Sequence, residues 1–287
     1  MNYRLFQIGG VNIYTYGTLV AIAFLFGIFL AAYRARKIGE DPQNILDLCL
    51  YIMVSSIVGA RLCFVVLNWE YFKRHLIEIV FIQQGGLVFY GGMIFAVACT
   101  IIFLKLKKLS ILQYLDILTP SLAVGHAIGR VGCFFNGCCY GKVAGNSIFS
   151  FLAVRFPKVV ERIPLGDGTI SEQVIGSPPY IDHLYSAMIT ESDQYSLPIY
   201  PTQLFSAGMN FIFFFIMLAI FRHRKFTGQI WWSYLILYSV GRFMIEFVRA
   251  DNPYVSSIPL TFSQILSIFL FITALTAYYF LSKQSKR

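Results

Sequence analysis

Arg61, Asp116, His126, Arg130, Arg242 and Glu246 stand in or at the end of long apolar runs of this 287-residue chain. Placing one such group in a membrane-spanning helix costs roughly 2.5–3.5 kcal/mol on insertion scales, so each is expected to face the bundle interior or a wet cavity. Tyr238, Arg242, Glu246 and Arg249 are spaced to form one polar stripe down a helix face. Arg61, Arg130 and Arg242 against the single Glu246 leave excess positive charge at one depth. That excess calls for an anion, and the planar fork of arginine suits a phosphate. Two plainer readings stand beside it: Arg242 and Glu246 as an ion pair that joins helices, and arginines that snorkel to the membrane surface. Asp116 lies toward the other end of its run and is expected to meet interface water.

Arg130 sits in the run Gly125-His126-Ala127-Ile128-Gly129-Arg130-Val131-Gly132-Cys133-Phe134-Phe135-Asn136-Gly137-Cys138-Cys139-Tyr140-Gly141. Its glycines let backbone approach a ligand or a neighbouring helix closely. An ordinary glycine-rich helix end would account for the glycines, but less well for Arg130 and Asn136 among them. Cys133, Cys138 and Cys139 form C-x4-C-C, which is neither a C-x2-C pair nor a recognisable zinc spacing. A disulfide stays open, no metal or cofactor is required, and replacing these cysteines singly by alanine is expected to be tolerated. Cys49, Cys63 and Cys99 lie inside apolar runs, where a thiol usually acts as a small hydrophobe.

The elements that must carry these groups follow from hydropathy. The chain is 57% hydrophobic and only 13% charged, against about 25% charged in soluble domains. Its mean hydropathy is +0.66. A helix needs about 20 apolar residues to cross the bilayer. Seven stretches qualify: 14–33, 45–67, 86–104, 112–130, 201–221, 229–249 and 260–281. The expected fold is therefore an all-α integral membrane protein with about seven transmembrane helices, one transmembrane domain over 1–287. The polar segment 142–200 reads as an external head inserted between the fourth and fifth helices. The first apolar run, near Tyr14, lacks a basic region before it and reads as a retained helix, not a cleaved leader.

Charge sets the expected orientation. Four basic clusters (Arg34, Arg36 and Lys37; Lys105, Lys107 and Lys108; Arg222, Arg224 and Lys225; Lys283, Lys286 and Arg287) fall on one side if the helix count is odd. The positive-inside rule then puts the N-terminus and 142–200 outside and the C-terminus in the cytoplasm. The net charge of +9 is thereby explained by topology, without nucleic acid as a partner. No internal repeat is visible, which counts against a transporter built from paired halves. Nothing demands more than a monomer.

Gly129-Arg130-Val131-Gly132-Cys133-Phe134-Phe135-Asn136-Gly137, ending in Tyr140-Gly141, resembles the signature of bacterial prolipoprotein diacylglyceryl transferases. Tyr16-Gly17, Gly59-Ala60-Arg61, Gly85-Gly86 through Tyr90-Gly91-Gly92, Tyr200-Pro201-Thr202-Gln203-Leu204, and the block from Tyr238 through Arg242, Glu246, Arg249 and Asp251 resemble the family's other landmarks in order. The resemblance implies transfer of diacylglycerol from phosphatidylglycerol to the lipobox cysteine thiol in the signal peptide of a prolipoprotein, at the outer leaflet of the bacterial inner membrane. A thioether forms and glycerol phosphate leaves. It implies Arg130 and Arg242 as the essential pair and Glu246 as the group orienting Arg242. Tyr16, Asn136 and Gly141 would line the site, with Tyr238 and Arg61 also binding substrate. The chain departs from the family pattern with Tyr90 and Tyr200 where histidine is usual, Cys133 where asparagine is usual, and Cys138 where glutamate is usual. Histidine takes a thiol proton near neutral pH, whereas tyrosine ionises near ~10. Tyr90 thus occupies the expected catalytic position with a weaker base, and His126, one turn before Arg130, reads as a polar packing residue that could substitute. Two other functions remain in view: a divergent paralogue performing another phospholipid- or thiol-directed transfer, and a non-enzymatic anion or lipid transporter.

Overall fold

The computed structural model describes residues 4–8, 11–82, 85–145, 150–164, 170–174, 177–250 and 259–285. Asp251 lies outside the described residues. In chain order the elements are a hairpin, β1 (Arg4–Ile8) and β2 (Val11–Tyr14), then α1 (Thr15–Lys37), α2 (Pro42–Leu67), the single turn α3 (Trp69–Phe72), α4 (Phe89–Leu106) and α5 (Ile111–Asn136). A second hairpin, β3 (Val160–Pro164) and β4 (Ile170–Val174), and the short α6 (Pro178–Tyr185) follow. The chain ends with α7 (Thr202–Arg222), α8 (Gln229–Glu246) and α9 (Phe262–Gln284). Both hairpins are antiparallel; apart from them and a few isolated bridges the described residues form helices and irregular connections.

All seven expected long helices are present, but among the described residues only six are long and apolar enough to cross a membrane: α1, α2, α4, α5, α7 and α9. α8 falls short because Gln229, Arg242, Glu246 and its aromatic residues dilute its 18 residues. It also ends at Glu246, so Arg249 leaves the helical stripe expected of it and forms a bridge with Gly141. α4 starts at Phe89, later than expected, because Gly85 and Gly86 hold left-handed φ angles of 83° and 72° that a right-handed helix cannot contain.

The chain divides into two compact units, Ile28–Leu118 and the remainder, Met1–Gly27 with Thr119–Arg287. Within the first, α2 and α4 pack through glycine. A Cβ on Gly59 would come within 2.4 Å of Phe95 and 2.7 Å of the Gly91 carbonyl, and one on Gly91 would come within 2.4 Å of Cys63. Small residues are how helices approach closely where lipid offers no hydrophobic drive between them. Asp116 has no exposed surface, which corrects its expected place at interface water. The neighbouring buried Tyr114 donates its hydroxyl to Glu40 at 3.0 Å.

In the second unit, Ala123 of α5, Phe213 and Met217 of α7, and Ile230 and Tyr234 of α8 share one buried core. Gly241 of α8 lies so close to Met209 that a Cβ would sit 2.1 Å from its sulfur. The head has its own small core of Tyr140, Phe156 and Ile199, with Phe134 and Val154 against it. Ile199 bridges both Val143 and Val154, and Tyr140 donates its hydroxyl to Asp182. The head is thereby fastened to the loop that follows α5.

Candidate active site

α5 carries Arg130 one turn beyond His126, and Arg130 Nε donates to His126 Nε2 at 3.2 Å. The His126 ring lies 5.4 Å from that of Tyr238 on α8, and Tyr238 stacks on Tyr234 at 5.8 Å. One turn along α8, Arg242 forms an ion pair with Glu246, Nη1 to Oε2 at 2.9 Å. Its other nitrogen, Nη2, donates to Ser263 Oγ of α9 at 2.8 Å. Glu246 is buried and accepts from Thr261 Oγ1 at 2.7 Å. Arg242 and Arg130 interact electrostatically as like charges, and Arg249 adds a third guanidinium beside Arg242. Among the described residues no carboxylate pairs with Arg130.

Thr261 is also the N-cap of α9. Its hydroxyl accepts from the Gln264 N–H at 3.3 Å while Gln264 Oε1 accepts from the Thr261 N–H at 3.0 Å. This is a reciprocal capping box, and it fixes the Thr261 hydroxyl where Glu246 meets it. Thr261 and Ser263 were not among the residues expected in the site. Thr261-Phe262-Ser263-Gln264 carries the T-x-x-Q capping signature, which marks a helix start but not what the cap touches.

The loop after α5 turns sharply. Gly137 has φ 76° and Cys139 φ 60°, a left-handed value that costs a residue with a Cβ about 1 kcal/mol or more. Two buried side chains at the start of α7 hold it. Gln203 Nε2 donates to the Cys138 carbonyl and Thr202 Oγ1 to the Cys139 carbonyl, each at 2.8 Å. Gly141 follows in a slot with no room for a side chain: a Cβ there would come within 2.5 Å of the Tyr200 carbonyl and 2.9 Å of both Thr202 Cγ2 and the Val248 carbonyl. Its N–H donates to that Tyr200 carbonyl at 3.0 Å. The Cys138 thiol donates to the Cys133 carbonyl at 3.8 Å, and the Asn136 side chain lies near enough to act on that thiol. Tyr16, at the start of α1, packs against Gly132, where a Cβ would approach its ring to 3.1 Å, and interacts electrostatically with the three nearby cysteines and Arg130.

Thus Tyr16, Arg130, Asn136, Gly141, Tyr238, Arg242 and Glu246 all belong to the one unit. Arg61 and Tyr90 belong to the other. Arg61 is buried, and each of its nitrogens donates to backbone carbonyls: Nε to Ile79 at 2.9 Å, Nη2 to Glu78 at 2.6 Å, and Nη1 to Gly85 at 2.8 Å and Gly86 at 3.3 Å. Its guanidinium also lies 5.3 Å from the centre of the Phe72 ring. The partner that the sequence does not reveal for Arg61 is backbone, and an anion would have to compete with it. Tyr90 opens α4 half exposed, edge-on to Phe89.

A cradle of guanidiniums with one carboxylate can hold a phosphodiester and stabilise charge that develops as it breaks. The family model for prolipoprotein diacylglyceryl transferase matches residues 4–280. A protein of Clostridium botulinum (strain Langeland / NCTC 10281 / Type F), named phosphatidylglycerol--prolipoprotein diacylglyceryl transferase, is 31% identical over 287 residues, the full length of both chains. A Listeria monocytogenes protein of the same name (serotype 4b, strain CLIP80459) is 33% identical over 269 residues, 94% of this chain and 86% of its own. A second from that species (serovar 1/2a, strain ATCC BAA-679 / EGD-e) is 34% identical over 246 residues, 86% of this chain and 78% of its own. Helices, arginine signature and full-length relatives agree, and the chain belongs to the prolipoprotein diacylglyceryl transferase family.

Proposed function

We propose that this protein transfers the diacylglyceryl group of phosphatidylglycerol to the lipobox cysteine thiol of prolipoproteins. The carbon–oxygen bond between diacylglycerol and phosphate breaks, a carbon–sulfur thioether bond forms, the thiol proton is given up, and glycerol phosphate leaves. The observation that carries this reading is the pair Arg130 and Arg242. They lie on two helices tied by the His126–Tyr238 contact, within electrostatic reach of each other, with one guanidinium unmatched by any carboxylate among the described residues.

The two guanidiniums hold the phosphodiester and stabilise the extra charge its phosphate gains on leaving. Glu246 serves substrate binding by fixing the fork of Arg242. Tyr16, Asn136, Gly141 and Tyr238 line the cradle. Tyr90 takes the catalytic role that the family resemblance gives its position, and Arg61 serves binding through the turn that it organises. α8 counts as the seventh span, its polar stripe turned away from lipid, with the N-terminus and head outside, the C-terminus in the cytoplasm and the site toward the outer leaflet of the inner membrane. One chain suffices for the site. The test is complementation of a strain depleted of its own transferase, with lipid attachment to a precursor peptide read by mass shift. Growth and lipidation are expected; their absence from a well-expressed, membrane-inserted protein overturns the reading.

A further inference from the structure

Cys133, Cys138 and Cys139 carry free thiols whose sulfurs all lie within 4.8 Å of one another. The C-x4-C-C spacing hides this. Cys133 sits on the last turn of α5, and the left-handed Gly137 and Cys139 fold the chain back so that the other two sulfurs return to it. The arrangement is built and held: buried Gln203 and Thr202 fix the carbonyls of Cys138 and Cys139, and the Cys138 thiol donates to the Cys133 carbonyl at 3.8 Å. Among the described residues no histidine or carboxylate joins the group. Arg130 and Arg249 both act electrostatically on Cys139.

Three thiolates around a tetrahedral zinc with bonds of ~2.3 Å stand about 3.8 Å apart, so the observed cluster needs an adjustment of an ångström or less. A disulfide, at about 2.05 Å, would join two sulfurs and strand the third. Three protein ligands with a vacant fourth place is the pattern of a reactive zinc, not a structural one. We propose that Cys133, Cys138 and Cys139 bind one zinc ion as thiolates and present its fourth position to an incoming thiol. Zinc binding releases the three thiol protons. The thiol then displaces the bound water, its proton leaving with that water as hydronium, and it stays on the metal as thiolate. The complex gains two negative charges in all, which the adjacent Arg130 and Arg249 offset. That the thiol is a lipobox cysteine rests on the transferase reading; the metal site does not. This reverses the expectation that the three thiols are dispensable.

The full-length protein in detergent, stripped with a chelator and titrated with cobalt(II), tests the site. Expected are one equivalent bound, a thiolate-to-cobalt charge-transfer band and tetrahedral visible bands. N-acetylcysteine amide should shift those visible bands as sulfur replaces water. Cys133→Ser, Cys138→Ser and Cys139→Ser should each lose the charge-transfer band, while Cys63→Ser, outside the cluster, keeps it. Stripping and reloading the unaltered protein needs no variant to fold. Absence of cobalt binding, a disulfide among the three found by peptide mapping, or visible bands indifferent to added thiol overturns the proposal. A protein that lipidates a precursor yet binds no cobalt refutes the zinc site and leaves the transferase reading standing; one that binds cobalt and thiol but never transfers lipid does the reverse.

Discussion

Thr261 Oγ1 donates to Glu246 Oε1 at 2.7 Å, and Glu246 Oε2 in turn holds Arg242 Nη1 at 2.9 Å. The start of α9 therefore aims a guanidinium on α8. Because Glu246 is buried, loss of either contact leaves charge under-satisfied in a poorly solvated place. Thr261→Val is expected to lower kcat/KM for lipid transfer about tenfold, equivalent to about 1.4 kcal/mol. Thr261→Ser, which keeps the hydroxyl, should restore it. A merely structural cap would lose melting temperature in Thr261→Val with kcat/KM unchanged.

Arg130→Ala and Arg242→Ala are each expected to reduce transfer by about 100-fold or more, the cost of deleting one preorganised donor to developing charge. Lysine at either place should rescue poorly, since a point charge cannot reproduce the fork. The measurement is lipid attachment to a precursor peptide in membranes. Full activity in both alanine variants would sink the arginine cradle.

Gly141→Ala should be damaging and Gly145→Ala silent. The first drives a methyl to 2.5 Å from the Tyr200 carbonyl, while nothing lies within 4 Å of the second. Overpacking of this kind costs about 1–3 kcal/mol. Thermal unfolding in detergent separates the two; equal melting temperatures would show that the slot relaxes.

Arg61→Met removes the guanidinium donor from the carbonyls of Glu78, Ile79, Gly85 and Gly86, leaving Glu78 only the Phe81 N–H, and a hydrogen bond to a charged group contributes about 1.5–3 kcal/mol. Faster proteolysis between α3 and α4 and a lower melting temperature are expected. An unchanged melt with a raised KM for phosphatidylglycerol would instead make Arg61 a direct lipid ligand.

His183 in the head titrates against stability. Burial pulls its pKa down, with Asp182 opposing, and its Nδ1 accepts the Leu197 N–H at 3.2 Å, which requires an unprotonated nitrogen. The unfolded chain therefore takes the proton at higher pH than the folded one. Stability is full above the ordinary imidazole pKa of ~6.5 and falls as pH drops through it toward the lower folded value. Melting between about pH 7.5 and about pH 5 should show this loss in the native protein. His183→Asn, which keeps an acceptor that does not titrate, should flatten it; an unchanged slope assigns the effect elsewhere.

The sequence by itself determined that this is a helical membrane protein, because apolar runs of bilayer length have few other solutions. It also determined the stripe of Arg242 and Glu246, because spacing on one helix is local geometry. It could not determine what meets that stripe. Thr261 and Ser263 reach it from another helix, and a capping motif reads the same whether or not its hydroxyl serves a distant carboxylate. Nor could it separate Arg61 from Arg130. Both looked like unmatched charges, yet one spends its donors on the carbonyls of a left-handed glycine turn and the other does not. Only tertiary structure closed the three cysteines into one cluster, since their convergence depends on two left-handed residues and on side chains from α7, and no spacing rule records either.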